Sequence, residues 1–221
     1  MSISEGFSLV GFFIGVALQV FLLAVVLRRQ PRGYLEKLLI LLVVELLAWN
    51  GGNLVATLLR QMNLERVTLP IQVVDALSFA ALSLLPATLL HTHWVYYLRH
   101  FPAGQGLSRT LKVLLPLLYA VPLMFPAALS HLLRDPGVNP IEKLGPFRIP
   151  FLGLLSLAYL ASVVLQMGII ARSRNPIEIG LFKRLAALFV VIPIFTLVTF
   201  EAALPSGTFL EILRHLALVA A

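Results

Sequence analysis

FSLVGFFIGVALQVFLLAVVL, residues 7–27, is the stretch whose reading decides the fold class. It is 21 residues long and carries no charged side chain. As a helix rising 1.5 Å per residue it covers about 31 Å, the thickness of the hydrocarbon core of a bilayer. The five residues before Gly6 lack the basic region of a cleavable signal peptide, so the segment reads as a first membrane span.

Composition extends that reading to the whole chain. Of 221 residues, 59% are hydrophobic and 12% charged, with a mean hydropathy of +0.94. A soluble domain carries roughly 25% charged residues, and this chain could not cover its apolar surface in water. Six further apolar segments follow the first, at 35–59, 69–98, 110–131, 149–171, 184–203 and 208–221. Breakers separate them, among them Pro31-Arg32-Gly33, Pro102-Ala103-Gly104, Asp135-Pro136-Gly137, Asn175-Pro176 and Pro205-Ser206-Gly207. No connector is long enough for a separately folded domain. The expectation is an all-α polytopic membrane bundle of seven transmembrane helices, forming one domain over residues 1–221.

The net charge of +7 belongs to the connectors. Eleven basic residues flank the first, third and fifth connectors: Arg28, Arg29, Arg32, Lys37, Arg99, Arg109, Lys112, Arg172, Arg174, Lys183 and Arg184. Five lie on the other side: Arg60, Arg66, Arg134, Lys143 and Arg148. The positive-inside bias then predicts the N-terminus outside and the C-terminus cytoplasmic. With no basic stripe interleaved with aromatics, nucleic acid is not an expected partner; the bilayer is. Cysteine is absent, which excludes disulfides, thiolate zinc ligands and thiol catalysis.

The seventh segment has 14 residues, short of a span of about 30 Å. A chain ending inside a bilayer with a free carboxylate is costly. The expectation is a span cut short, continuing into the cytoplasm; a re-entrant or interfacial segment is the alternative.

Chemistry concentrates in few places. In the second segment Glu45, Trp49 and Asn53 recur every fourth residue on one helix face, with Asn50 beside them and Gly51-Gly52 allowing close approach. By depth, Asn50, Asn53, Asp75, Glu201, Glu211, Arg214 and His215 share a layer toward the outer surface. Polar groups in such spans face the bundle interior or a wet cavity. They predict either a pocket for a small ligand, with Glu45 and Trp49 beneath it, or an ion-pair network that locks the bundle. His91 and His93 are two apart, about 200° around a helix, and cannot readily chelate one metal together. With Trp94, Tyr96 and Tyr97 they read as an aromatic inner belt. Pro86 predicts a kink. No metal, cofactor or catalytic site is indicated: the chain has no phosphate-binding loop, no His-Glu-x-x-His, no Gly-x-Ser-x-Gly, and no late lysine for retinal.

The run EKLLILLVVELLAWNGGNLVATLL, residues 36–59, with its mid-helix tryptophan, resembles the second helix of the seven-transmembrane sensor region of bacterial histidine kinases. Leu85-Pro86 leading through His91–Tyr97 to Phe101-Pro102 is similar to that family's third helix. The resemblance covers most of the chain in architecture and these two segments in sequence. It implies a sensory input domain in the bacterial inner membrane, acting as a homodimer and relaying a small ligand or membrane signal through its last helix. Any kinase activity would lie beyond Ala221. A small transporter or channel is the alternative, and it predicts a polar path from Asp75 through Glu45 to Gln19 and His91.

Overall fold

A computed structural model describes residues 3–28, 33–62, 68–101, 105–124 and 148–201. Among the described residues the chain is entirely helical: α1 (Ile3–Arg28), α2 (Tyr34–Gln61), α3 (Thr68–His100), α4 (Gln105–Met124), α5 (Arg148–Arg172) and α6 (Pro176–Glu201). Four of these contain segments long and apolar enough to cross a membrane: Leu9–Arg28, Tyr34–Leu59, Leu69–Arg99 and Ile149–Arg172. In α4 the apolar helical stretch Leu111–Ala120 is shorter, and residues 125–131 of the expected fourth span lie outside the described residues. So does the whole of the expected seventh, 208–221.

The sixth apolar segment, expected as a span from Arg184, begins inside a longer helix. The helix begins eight residues earlier, at Pro176. Asn175 is its N-cap, with Oδ1 accepting the Ile177 N–H at 3.0 Å, and Pro176 fills the first helical position, where a missing N–H costs nothing. Glu178, Lys183 and Arg184 mark where hydrophobicity begins, and the helix extends past that boundary. Only Ser173–Asn175 separate α5 from α6, so the two pack as antiparallel neighbours.

Helix α3 is the hub: α2, α4 and α5 all pack against it, while α1 leans on α2 and α6 on α5. Its span is 67% buried, against 11% for α1. Its position follows from its side chains, since Leu82, Ala87, Thr88 and Leu90 are wholly enclosed. One core cluster joins Leu90 and Tyr97 to Leu111, Leu115 and Leu118 of α4, Leu165 and Ile169 of α5 and Phe182 of α6. A second joins Leu89, Leu155, Tyr159, Phe189 and Ile192.

The outer faces are as apolar as the core. Phe13 and Phe21 of α1, Leu77 of α3, Val113 of α4 and Val164 of α5 are exposed. Contiguous apolar surface on this scale is tolerated in lipid, where every backbone polar group is satisfied within its own helix. The chain is therefore a membrane protein.

Candidate functional site

Helices α2 and α3 come together at a glycine. A Cβ on Gly52 would lie 1.8 Å from the Ser78 Oγ, so any larger residue must displace that hydroxyl or part the two helices. Ser78 in turn donates to the Val74 carbonyl at 2.8 Å, which satisfies its hydroxyl within α3. A second close approach joins α1 to α2: a Cβ on Gly15 would stand 3.1 Å from Asn50 Cγ. These two crossings align the polar groups of α1, α2 and α3 in one buried seam.

At mid-depth in the seam sits Glu45, 4% exposed. Thr88, wholly buried on α3, donates its hydroxyl to Glu45 Oε1 at 2.8 Å. Glu45 Oε2 is buried with no hydrogen-bond partner among the described residues. A carboxyl group with one oxygen bonded and the other enclosed is costly unless its charge or proton can be managed locally.

Toward the start of α2 the seam becomes aromatic. The Tyr34 hydroxyl lies 3.2 Å from His91 Nε2, and His91 Nδ1 lies 3.2 Å from the Tyr119 hydroxyl. The Trp94 ring tilts against His91, centroids 5.9 Å apart. Tyr34 is 59% exposed, so this end of the seam reaches the molecular surface.

Toward the other end, the Gln19 amide is oriented by its neighbours. Its nitrogen faces the carbonyls of Gly15 at 3.2 Å and Leu46 at 3.1 Å, and its oxygen accepts from Asn50 Nδ2 at 2.7 Å. Asn50 Nδ2 also reaches the Leu46 carbonyl at 3.1 Å. Asn53 donates to the Trp49 carbonyl on its own helix at 2.7 Å. Trp49 and Asp75 are both fully enclosed.

Glu45, Trp49, Asn50 and Asp75 are thus interior, as polar and aromatic residues in a span should be. They do not all serve one contact: Glu45 turns to α3, while Asn50 turns to α1. Glu211, Arg214 and His215 lie outside the described residues, as does the side chain of Glu201.

His91 and His93 of α3 point to different helices. His93 directs Nδ1 to the Leu89 carbonyl at 2.9 Å, and Gln166 Nε2 of α5 meets His93 Nε2 at 2.9 Å. A carbonyl can only accept, so Nδ1 carries the proton; the amide N–H then donates to Nε2. His93 is a neutral tie between α3 and α5.

Around the first turn of α6, Glu178 accepts hydrogen bonds from Tyr96 and Ser173. Nearby, the Arg172 guanidinium lies over the rings of Tyr97 and Phe101, at 5.4 and 5.8 Å. Arg99 approaches Glu36 at 3.9 Å across α3 and α2. The aromatic belt expected at the end of α3 is therefore also a polar belt, joined to α2, α5 and α6.

Sequence reasoning placed Glu45 and His91 but not their partners. Thr88 carried a signal, because it precedes His91 by three residues and so shares its helix face. Tyr34 and Tyr119 carried none, since only packing brings their helices to His91. No group of three or more residues able to hold a metal ion occurs among the described residues. No protein-family model, curated protein or solved structure matches this chain.

Proposed function

We infer that the chain is a membrane-embedded sensory input domain, of the kind that precedes a bacterial histidine kinase, seated in the inner membrane with seven spans and its N-terminus outside. The observation that supports this reading is where the buried polar groups stand. Glu45, Thr88, Gln19 and Asn50 lie at helix crossings, where the Thr88–Glu45 and Asn50–Gln19 bonds each fix one helix against another, and Ser78, bonded within α3, stands at the α2–α3 approach. The crossings are tight, as the Gly52–Ser78 approach illustrates. Packed interfaces of this kind switch between discrete arrangements and do not deform smoothly, so a change at one polar bond becomes a helix displacement.

A small ligand in the layer of Asn50, Asn53 and Asp75, with Glu201, Glu211, Arg214 and His215, would act by favouring one arrangement. It must bind the two with different affinity. A homodimer would pass the displacement to an output domain. In the full gene, the frame past Ala221 should encode a linker and a kinase or other signalling domain; a stop codon there would sink the reading.

A small transporter is the second reading, favoured by one observation: polar groups recur along the seam from Gln19 through Glu45 to His91. Solute flux into proteoliposomes, lost in Glu45→Gln, would establish it in place of the sensor.

A further inference from the structure

Cations line the end of the bundle that carries Tyr96, Tyr97 and Phe101. Arg28 closes α1, Lys37 lies in the first turn of α2, Arg99 is near the end of α3, and Arg109 and Lys112 open α4. All are exposed. Arg172 ends α5, Arg174 follows it, and Lys183 and Arg184 stand two turns into α6, exposed as well. Among the described residues the carboxylates at this end are those of Glu36 and Glu178. Glu36 stands 3.9 Å from Arg99, and Glu178 accepts from the hydroxyls of Tyr96 and Ser173. The excess of positive charge needs an anion from elsewhere.

A charge that only orients the chain during insertion needs no fixed place. Arg172 has one. Its guanidinium lies 5.4 Å from the centroid of the Tyr97 ring and 5.8 Å from that of Phe101. The Tyr97 ring, 4% exposed, is seated against α5 at Gly168, where a Cβ would meet its Cε2 at 2.9 Å. Gly168 and Arg172 are one turn apart, so a single face of α5 supplies both the seat for the ring and the cation over it. A cation–π contact engages none of the five guanidinium N–H donors. That planar fork takes a phosphate group bidentately.

The neighbours of these cations indicate which phosphate. Ile177 is 81% and Leu181 54% exposed, on the turns of α6 that lead to Lys183 and Arg184. Val113, beside Lys112, is 66% exposed. A small soluble anion gains nothing from such apolar neighbours. A phospholipid does, with its phosphate on the cation and its acyl chains along the apolar side chains.

We propose that this end of the bundle binds anionic phospholipid of the adjoining leaflet, with Arg172 as the headgroup seat and Lys183 and Arg184 adding to it from the next helix. The site rests on the chain's place in a membrane and is independent of the sensor reading.

Native mass spectrometry of the full chain tests it, with release from neutral micelles holding equal palmitoyl-oleoyl phosphatidylglycerol and phosphatidylcholine. Phosphatidylglycerol should be the lipid retained. Each basic group near an anionic surface contributes roughly a fivefold preference, so Arg172→Gln should cut retention about fivefold and Arg172→Lys should restore part of it. Lys183→Gln together with Arg184→Gln should cut it roughly 25-fold by the same rule. Where Arg172→Gln lowers the melting temperature, this exposed pair decides. Arg148→Gln, at the opposite end of α5, should leave retention unchanged. Equal retention of the two lipids, wild-type retention in the deciding variant, or an equal loss in Arg148→Gln overturns the proposal. Displacement of phosphatidylglycerol by an equal concentration of glycerol 3-phosphate would make the ligand a soluble phosphate and overturn the lipid.

Discussion

The Thr88 hydroxyl reaches across from α3 to Glu45 Oε1 at 2.8 Å, joining the two most heavily packed helices at mid-depth. Neither residue is exposed, so neither can turn to water if the other is removed. Thr88→Val keeps the shape and deletes the donor. It should cost about 1–3 kcal/mol, read as a lower melting temperature in detergent. Glu45→Met together with Thr88→Val should recover most of that loss, because two apolar groups leave nothing unsatisfied. A double variant no more stable than Thr88→Val would show that the Glu45 carboxyl does not depend on this bond.

Gly52 is where α2 rests on α3. Gly52→Ala places a methyl 1.8 Å from the Ser78 Oγ and should destabilise the bundle by about 1–3 kcal/mol, the usual range for overpacking. Adding Ser78→Gly removes the obstructing side chain and should restore part of the loss. Gly15→Ala, whose methyl would meet Asn50 at 3.1 Å, should cost less. The three melting curves are to be compared in one detergent.

His93 should be found as the Nδ1-protonated neutral tautomer, which nitrogen-15 NMR of labelled histidine distinguishes directly. Gln166→Leu removes the donor to its Nε2 and should cost about 1–3 kcal/mol. An Nε2-protonated His93 in the wild type would mean that the Leu89 carbonyl is not its partner.

The cap at Asn175 should account for the early start of α6. Asn175→Ala should cost about 1 kcal/mol and speed amide exchange in the first turn of α6, while Asn175→Asp should do neither. Equal exchange in the alanine variant would assign the helix start to Pro176 alone.

Because the chain has no cysteine, single cysteines report surroundings without a background. Spin labels at Phe13→Cys and Leu77→Cys should be accessible to oxygen and shielded from a water-soluble relaxant. Both side chains are more than 60% exposed on outer faces, so lipid is what should cover them. Accessibility to the aqueous relaxant at both positions would contradict a lipid-facing surface.

Several features could be read from the residues in order. Uncharged runs such as 7–27 can satisfy their backbone in a bilayer only as helices, so class and element type followed from composition. Glu45 stood out because a carboxylate amid leucines and valines must find an interior partner. Helix α6 starts eight residues before the apolar run at 184, because hydropathy reports where lipid begins, whereas a helix begins where its first N–H groups are capped. The outer layer predicted from depth placed Asn50 and Asp75 together by height alone, and height says nothing of azimuth.

The sequence by itself determined that this is a helical membrane protein, which helix carries a buried carboxylate, and which end gathers basic and aromatic residues. Those properties depend on transfer energies summed along the chain. Only the tertiary structure decided that α3 is the hub, that Glu45 answers to Thr88, and that His91 stands between the hydroxyls of Tyr34 and Tyr119. Such contacts join residues 43, 57 and 28 positions apart, and they exist only once helix packing has brought the side chains into register.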